Sequence, residues 1–216
     1  MVPTGTTTAG VMDRLKAETA GQHAAAEARP IEQAMVRGEV TREQYAAYIA
    51  QRILIHTALE PHMARLRAAD ARFERFMDPE LFQEHRARAD LKHLGAPAGS
   101  ACEATRSYLA DIERWAREAP VALLGAYYVF EGSKNGARYI ARALGRTLGL
   151  TSQAGMAYLD PHGDSQRELW MRFRAAVNAC EWTAAEADLM VAAAQRTFDA
   201  VSAIDDELWA ATTAAA

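Results

Sequence analysis

Tyr127-Tyr128-Val129-Phe130-Glu131-Gly132-Ser133-Lys134-Asn135-Gly136-Ala137-Arg138-Tyr139-Ile140-Ala141 is the stretch on which the fold turns. It lies inside a segment that reads as helix from about Pro120 to Leu144, yet it carries two glycines one helical turn apart. Each glycine in a helix interior costs roughly 1 kcal/mol relative to alanine. The pair therefore needs a reason, and the reason is close approach to that backbone by a second helix or by a flat ligand.

On either side of this stretch, apolar residues recur at helical spacing, alanine is abundant, and no β-branched run alternates with polar residues. The chain reads as all-α. A first helix is expected from about Val11 to Val36, which Pro30 should end or bend after Arg29 and which Gly38 stops. Thr41 and Gln44 form a capping-box pattern that opens a long helix to about Ala69, with Pro61 inside it. Asp78-Pro79 is an N-cap and first-turn pair for a helix reaching Leu94, and another helix is expected from about Ser100 to Arg117. Pro120 opens the glycine-bearing helix. After the loop Gly149 to Gly163 comes a helix from about Asp164 to Cys180, and Thr183 with Glu186 caps a last one to about Trp209.

A chain of 216 residues, half of them hydrophobic and 24% charged, is expected to form one domain over residues 11–213 behind a disordered N-terminus at 1–10. Its net charge of -4, with acids and bases interspersed, gives no basic stripe for nucleic acid. No run of about 18 apolar residues suits a membrane span, and Met1 to Gly10 lacks the basic-then-apolar pattern of a signal peptide. A cytoplasmic location is expected. Cys102 and Cys180 form no Cys-x-x-Cys pair, which suits a reducing compartment and a role as small apolar residues.

Several chemistries are excluded by spacing. A carboxylate-bridged di-iron site needs paired Glu-x-x-His motifs, and Asp90 with His93 is the nearest approximation, without a second copy. His56 and His62 point about 240° apart around a helix and cannot share an ion. These two, with His85, His93 and His162, are expected to be solvated or hydrogen-bonded. No Gly-x-Ser-x-Gly elbow is present, and no Gly-x-Gly-x-x-Gly follows a strand.

His23 stands out because Gly21, Ala24, Ala25 and Ala26 leave room around its ring, and Glu27, one turn on, can accept a hydrogen bond from one ring nitrogen. Lys16, two turns earlier on nearly the same face, puts a cation about 10 Å along the helix axis. That arrangement suits a large ligand with a metal at its centre and anions at its rim.

Taken together, His23 with Glu27 and Lys16, the segment Tyr127 to Arg138, Tyr158-Leu-Asp-Pro-His-Gly163 and Trp170-Met-Arg-Phe173-Arg174 resemble the heme oxygenase family, most of all its bacterial biliverdin-forming branch, which includes enzymes that supply bacteriophytochromes. The resemblance runs from about Leu15 to Val177. It implies a single-domain helical bundle with heme, both substrate and cofactor, held between the first helix and a Gly-kinked distal helix. By similarity His23 is the axial iron ligand with Glu27 behind it, and Gly132, Ser133, Gly136 and Ala137 form the distal wall. Lys16, Tyr127 and Arg174 occupy the places of partners for the heme propionates. The implied reaction uses O2 and electrons from a ferredoxin or an NAD(P)H-dependent reductase to open heme to biliverdin, CO and ferrous iron. A bacteriophytochrome is the implied acceptor of biliverdin.

Ser133 stands where many members carry an aspartate that orders the water supplying protons, although the bacterial branch often has serine. Asn135 replaces a usually apolar residue and either donates to a distal water or faces solvent. Arg138 reads as a surface charge. The alternatives are a non-catalytic heme-binding protein on the same scaffold, or a ligand like that of the thiamin-salvage relatives of the fold, for which carboxylates and cysteines should converge in the pocket.

Overall fold

The structure is a computed structural model that describes residues 10–213. The expectation of a disordered N-terminus falls almost wholly on residues 1–9, outside the described part. Ten α-helices follow in order: α1 Val11–Glu18, α2 Ala20–Glu27, α3 Pro30–Arg37, α4 Arg42–Ala69, α5 Ala71–Glu74, α6 Glu84–Leu94, α7 Glu103–Glu118, α8 Leu123–Leu148, α9 Gln166–Asn178 and α10 Ala184–Thr213. No strand occurs among the described residues, only isolated bridges from Thr151 to Ala154 and Gly155. The fold is all-α.

The capping signals act where the residues place them. Thr41 Oγ1 accepts from Gln44 N while the Gln44 side chain accepts from Thr41 N. Glu186 and Thr183 make the same exchange before α10. Gly38, at φ 71°, closes α3 in the left-handed conformation that favours glycine. α4 continues through Pro61 for 28 residues.

Two expected helices are divided. The first becomes three: it ends before Pro30, which opens α3 with Arg29 as its N-cap, and Thr19 breaks the run before that, its hydroxyl donating to Leu15 O at 2.6 Å with ψ 4°. Lys16 and His23 therefore lie on separate helices, and the shared-face spacing expected for them does not hold. Asp78 does cap Glu80, but only a single 3-10 turn, Pro79–Leu81, follows. α6 starts later, where Glu60 accepts from the backbone N–H groups of Gln83 and Glu84.

α10 is the axis of the assembly, packing on α1, α2, α3, α4, α7 and α8. Its closest neighbour is α8, and the contact is made at Gly125: a Cβ there would fall 1.9 Å from Met190 O. α4 packs on α6 and α7 and closes the bundle behind α8, while α3 lies across α8. The core between them holds Met12, Leu15, Tyr45, Ile49, Leu59 and Phe73, all fully buried. No helix among the described residues is long and apolar enough to cross a membrane.

Candidate functional site

The packing of α2 and α3 on α8 and α10 leaves a cavity of about 620 Å³. α2 supplies His23, Ala26 and Glu27, and α8 supplies its wall from Val129 to Ile140, both glycines included. α3 adds Glu32, α10 adds Phe198 and Val201, and α4 adds Tyr48, Arg52 and His56. His23, Gly136 and Tyr139 are exposed, so they mark the mouth. Arg52 and His56 are buried, so they mark the deep end.

His23 stands at the mouth with its ring edge-on to Phe198, centroids 5.5 Å apart. Its Nδ1 lies 3.5 Å from Glu27 Oε2, which leaves Nε2 as the nitrogen available to a ligand. On α8, a Cβ at Gly132 would meet the Trp170 ring at 3.4 Å, an ordinary contact, and a Cβ at Gly136 would meet no protein atom within 4 Å. Neither glycine serves helix packing. Ala137, next along, keeps the wall small. α8 runs unbroken through the whole stretch.

The polar side chains that α8 brings to the cavity, Ser133, Lys134 and Asn135, bond within the protein. Ser133 Oγ donates to Phe130 O at 2.9 Å and Asn135 Nδ2 to Gly132 O at 3.0 Å, both back onto their own helix. Lys134 is buried and paired with Glu131. Arg138 binds Asp164 at 2.7 Å, but its own side chain is only 16% exposed, so it is a half-buried group and not the surface charge expected.

The expected rim residues do not line the cavity. Tyr127 is buried beside Phe82 and Phe173, at 6.4 and 5.9 Å between centroids, because it shares the core face of α8 with Leu124, Tyr128 and Glu131. Burial and the Glu131 carboxylate push its phenol up, so it stays a protonated donor facing Glu131 rather than a rim group. Arg174 donates to Asp13 at 2.7 Å and ties α9 to α1. Lys16 is exposed on α1.

The deep end holds residues that sequence reading did not select. His56 Nδ1 lies 2.9 Å from Glu60 Oε1 and its Nε2 lies 3.1 Å from Tyr158 Oη, with Phe130 stacked obliquely at 5.1 Å. Glu60 also accepts from two backbone N–H groups, so His56 Nδ1 is the donor in its bond to Glu60, and Nε2 faces the Tyr158 hydroxyl. Tyr158 is set in place by Asp90, which accepts from the N–H groups of Ala157 and Tyr158. Arg52 Nη2 donates to Asp205 Oδ1 at 2.7 Å, and its guanidinium lies 4.3 Å over the Tyr48 ring. Burial raises the carboxyl groups of Asp205 and Glu32, and each also feels a neighbouring carboxylate. The available signal was Arg52 on the apolar face of α4, one turn from Ile49 and His56.

Carboxylates thus do converge near the pocket, as the thiamin-salvage alternative requires, but neither Cys102 nor Cys180 lines it. The cysteines keep to small contacts, Cys180 buried and Cys102 half-buried against Thr105. His162 is half-buried near Lys134 and Arg86, and burial with those cations lowers it to about 4. His62 is bonded to Glu113.

The heme oxygenase family model matches residues 9–204. The fold is similar to that of heme oxygenase from Leptospira interrogans, at TM-score 0.83 and 19% identity over 92% of this chain and 99% of that one. It is equally similar to heme oxygenase-1 from the cyanobacterium Synechocystis in complex with heme, at TM-score 0.85 and 20% identity over 95% of each chain. A TenA homologue from P. horikoshii shares it at TM-score 0.69 and 14% identity, over 93% of this chain and 99% of that one. No curated protein sequence matches the chain. With the family matched over almost its entire described length and the cavity built between the matched helices, the chain belongs to the heme oxygenase family.

Proposed function

We propose that this protein is an enzyme that opens heme to biliverdin, CO and ferrous iron. One observation carries the reading: the cavity that has His23 at its mouth, Nδ1 turned to Glu27, is walled by α8 where Gly136 leaves space that no protein atom fills. A wall without side chains accepts a flat macrocycle. Val129, Phe130, Ile140, Leu159 and Phe198 supply the apolar lining such a ring requires.

Heme, when bound, supplies the iron at which O2 and external electrons act, and it is itself consumed. His23 would ligate through Nε2 with Glu27 orienting the ring. Lys16 and Arg174, outside the cavity wall, would meet carboxylates that extend beyond the mouth. The proton donor in this reading is the Tyr158 hydroxyl, held in place by His56 Nε2, whose ring Glu60 fixes through Nδ1. In this reading electrons come from a ferredoxin or an NAD(P)H-dependent reductase. The biliverdin would serve an acceptor such as a bacteriophytochrome, within the cytoplasm.

A non-catalytic heme carrier is the second reading, and one observation favours it: Ser133 and Asn135 spend their donors on their own helix. Titration with hemin followed by ascorbate or a ferredoxin system under air separates the two. Loss of the Soret band with appearance of the biliverdin absorbance and released CO supports the enzyme, whereas a persistent ferrous complex supports the carrier. Unchanged hemin ligation in His23→Ala would overturn both.

A further inference from the structure

The deep end of the cavity is polar where a heme macrocycle offers nothing to bond. Arg52 and Asp205 are buried, 2% and 0% exposed, and share a single hydrogen bond. Arg52 Nη1 and Asp205 Oδ2 are left without a partner among the described residues. Buried donors are almost always satisfied, so an unpaired guanidinium nitrogen on a residue that lines the cavity points to a ligand or water that completes it. Tyr48, Glu32 and Tyr158 line the cavity with Arg52.

Charge selects what that ligand is. The charge of Arg52 is already met by Asp205, and burial beside Asp205 favours the protonated form of Glu32, so no net positive charge is left to draw an anion, while a neutral acceptor can take the free donor. The polar substituents of heme are carboxylates. Ring opening at a meso carbon adds two neutral lactam carbonyls that heme lacks. Resting on the function proposed above, we infer that this corner is a product subsite, in which Arg52 Nη1 donates to a lactam carbonyl of the open-chain tetrapyrrole, flanked by the hydroxyls of Tyr48 and Tyr158. The subsite distinguishes the opened ring from the closed one, because both carry the same propionates and only the former has the neutral acceptor.

The test compares hemin and biliverdin binding to the full chain by absorbance titration and tryptophan quenching. Arg52→Leu with Asp205→Leu removes the whole ion pair, so no lone charge is buried. Arg52→Lys keeps the charge for Asp205 but loses the second nitrogen, and it decides the matter should the double variant fail to fold. The expected result for either is biliverdin binding roughly tenfold weaker, with hemin affinity within about twofold of wild type. Equal changes for both ligands, or none, overturn the subsite and leave Arg52 Nη1 to an ordered water. Failure of the wild type to bind hemin overturns instead the reading on which the subsite rests.

Discussion

Three glycines on α8 should respond to alanine in three different ways. At Gly125 the new Cβ would lie 1.9 Å from Met190 O, a backbone atom that cannot rotate away. To restore an ordinary contact of 3.4 Å, α8 and α10 must part by roughly 1.5 Å along their closest approach. Overpacking of this kind costs about 1–3 kcal/mol and sometimes more, against a gain of about 1 kcal/mol in helix propensity. Gly125→Ala should therefore destabilise the protein by up to about 2 kcal/mol. Gly136→Ala meets nothing within 4 Å and keeps only the propensity gain. It should stabilise the ligand-free chain by about 1 kcal/mol, a rise in Tm of about 2–4 °C for a chain of this size. Gly132→Ala, touching the Trp170 ring at 3.4 Å, should fall between neutral and the same gain.

Hemin binding should reverse that order. The methyl at Gly136 projects into the space a macrocycle would fill, so Gly136→Ala should weaken hemin roughly tenfold, equivalent to about 1.4 kcal/mol, while Tm without ligand rises. The assay is a pair of thermal melts, without and with hemin, together with a Soret titration. A ligand-free Gly136→Ala that melts lower than wild type would refute the placement of that glycine. An unchanged hemin affinity would refute the assignment of α8 as the wall against which the ring lies.

His23→Ala should abolish imidazole-type ligation in the Soret spectrum while shifting the ligand-free Tm by about 1 °C or less, since the side chain is exposed at the mouth, and added imidazole should restore the spectrum. Arg52→Leu alone should cost about 3–5 kcal/mol in urea denaturation, because it leaves Asp205 as a lone buried charge, and the paired replacement should recover most of that loss. Glu32 is raised by burial and by Asp205 from 4.5 to about 7. The folded chain thus holds a proton that the unfolded chain has released, so stability is full below the ordinary carboxylate value and declines as pH climbs to about 7. Glu32→Gln should flatten that decline in melts of the ligand-free protein, and a profile unchanged from wild type would show that Glu32 does not titrate there. Ser133→Ala should leave the rate of biliverdin formation within about threefold, while Tyr158→Phe should slow it by about 100-fold with hemin affinity retained. The opposite ranking would return the proton supply to α8.

The helical class was legible because the caps are local. Thr41 with Gln44, Thr183 with Glu186, and Gly38 each act within one turn, and each appears in the structure where the residues put it. The break at Thr19 was not legible, since it depends on a hydroxyl choosing Leu15 O over solvent within a run of otherwise helix-forming residues. Tyr127 was misplaced for a related reason. Its distance from Gly132 matched the family pattern, but its helical register with Leu124, Tyr128 and Glu131 puts it on the core face, and register decided where the ring went. The Arg52–Asp205 pair joins residues 153 positions apart, and nothing local announces it beyond an arginine on an apolar face.

Helix α8 also resolves the two explanations that its glycines invited. Close helix packing is real, but it occurs at Gly125, two turns before the pair that drew attention, where α10 meets the backbone. Gly132 and Gly136 face the cavity, so the cost of roughly 1 kcal/mol each falls on the site and not on the bundle. That division has a chemical consequence. Where α8 lines the cavity it gives up two side chains to glycine, and the hydroxyl of Ser133 and amide of Asn135 that it retains there are tied to Phe130 O and Gly132 O. Polar chemistry in this cavity must then come from α4, α10 and the loop bearing Tyr158. Those elements hold the Glu60–His56–Tyr158 chain and the Arg52–Asp205 pair, at the deep end where water is most restricted and each hydrogen bond is strongest.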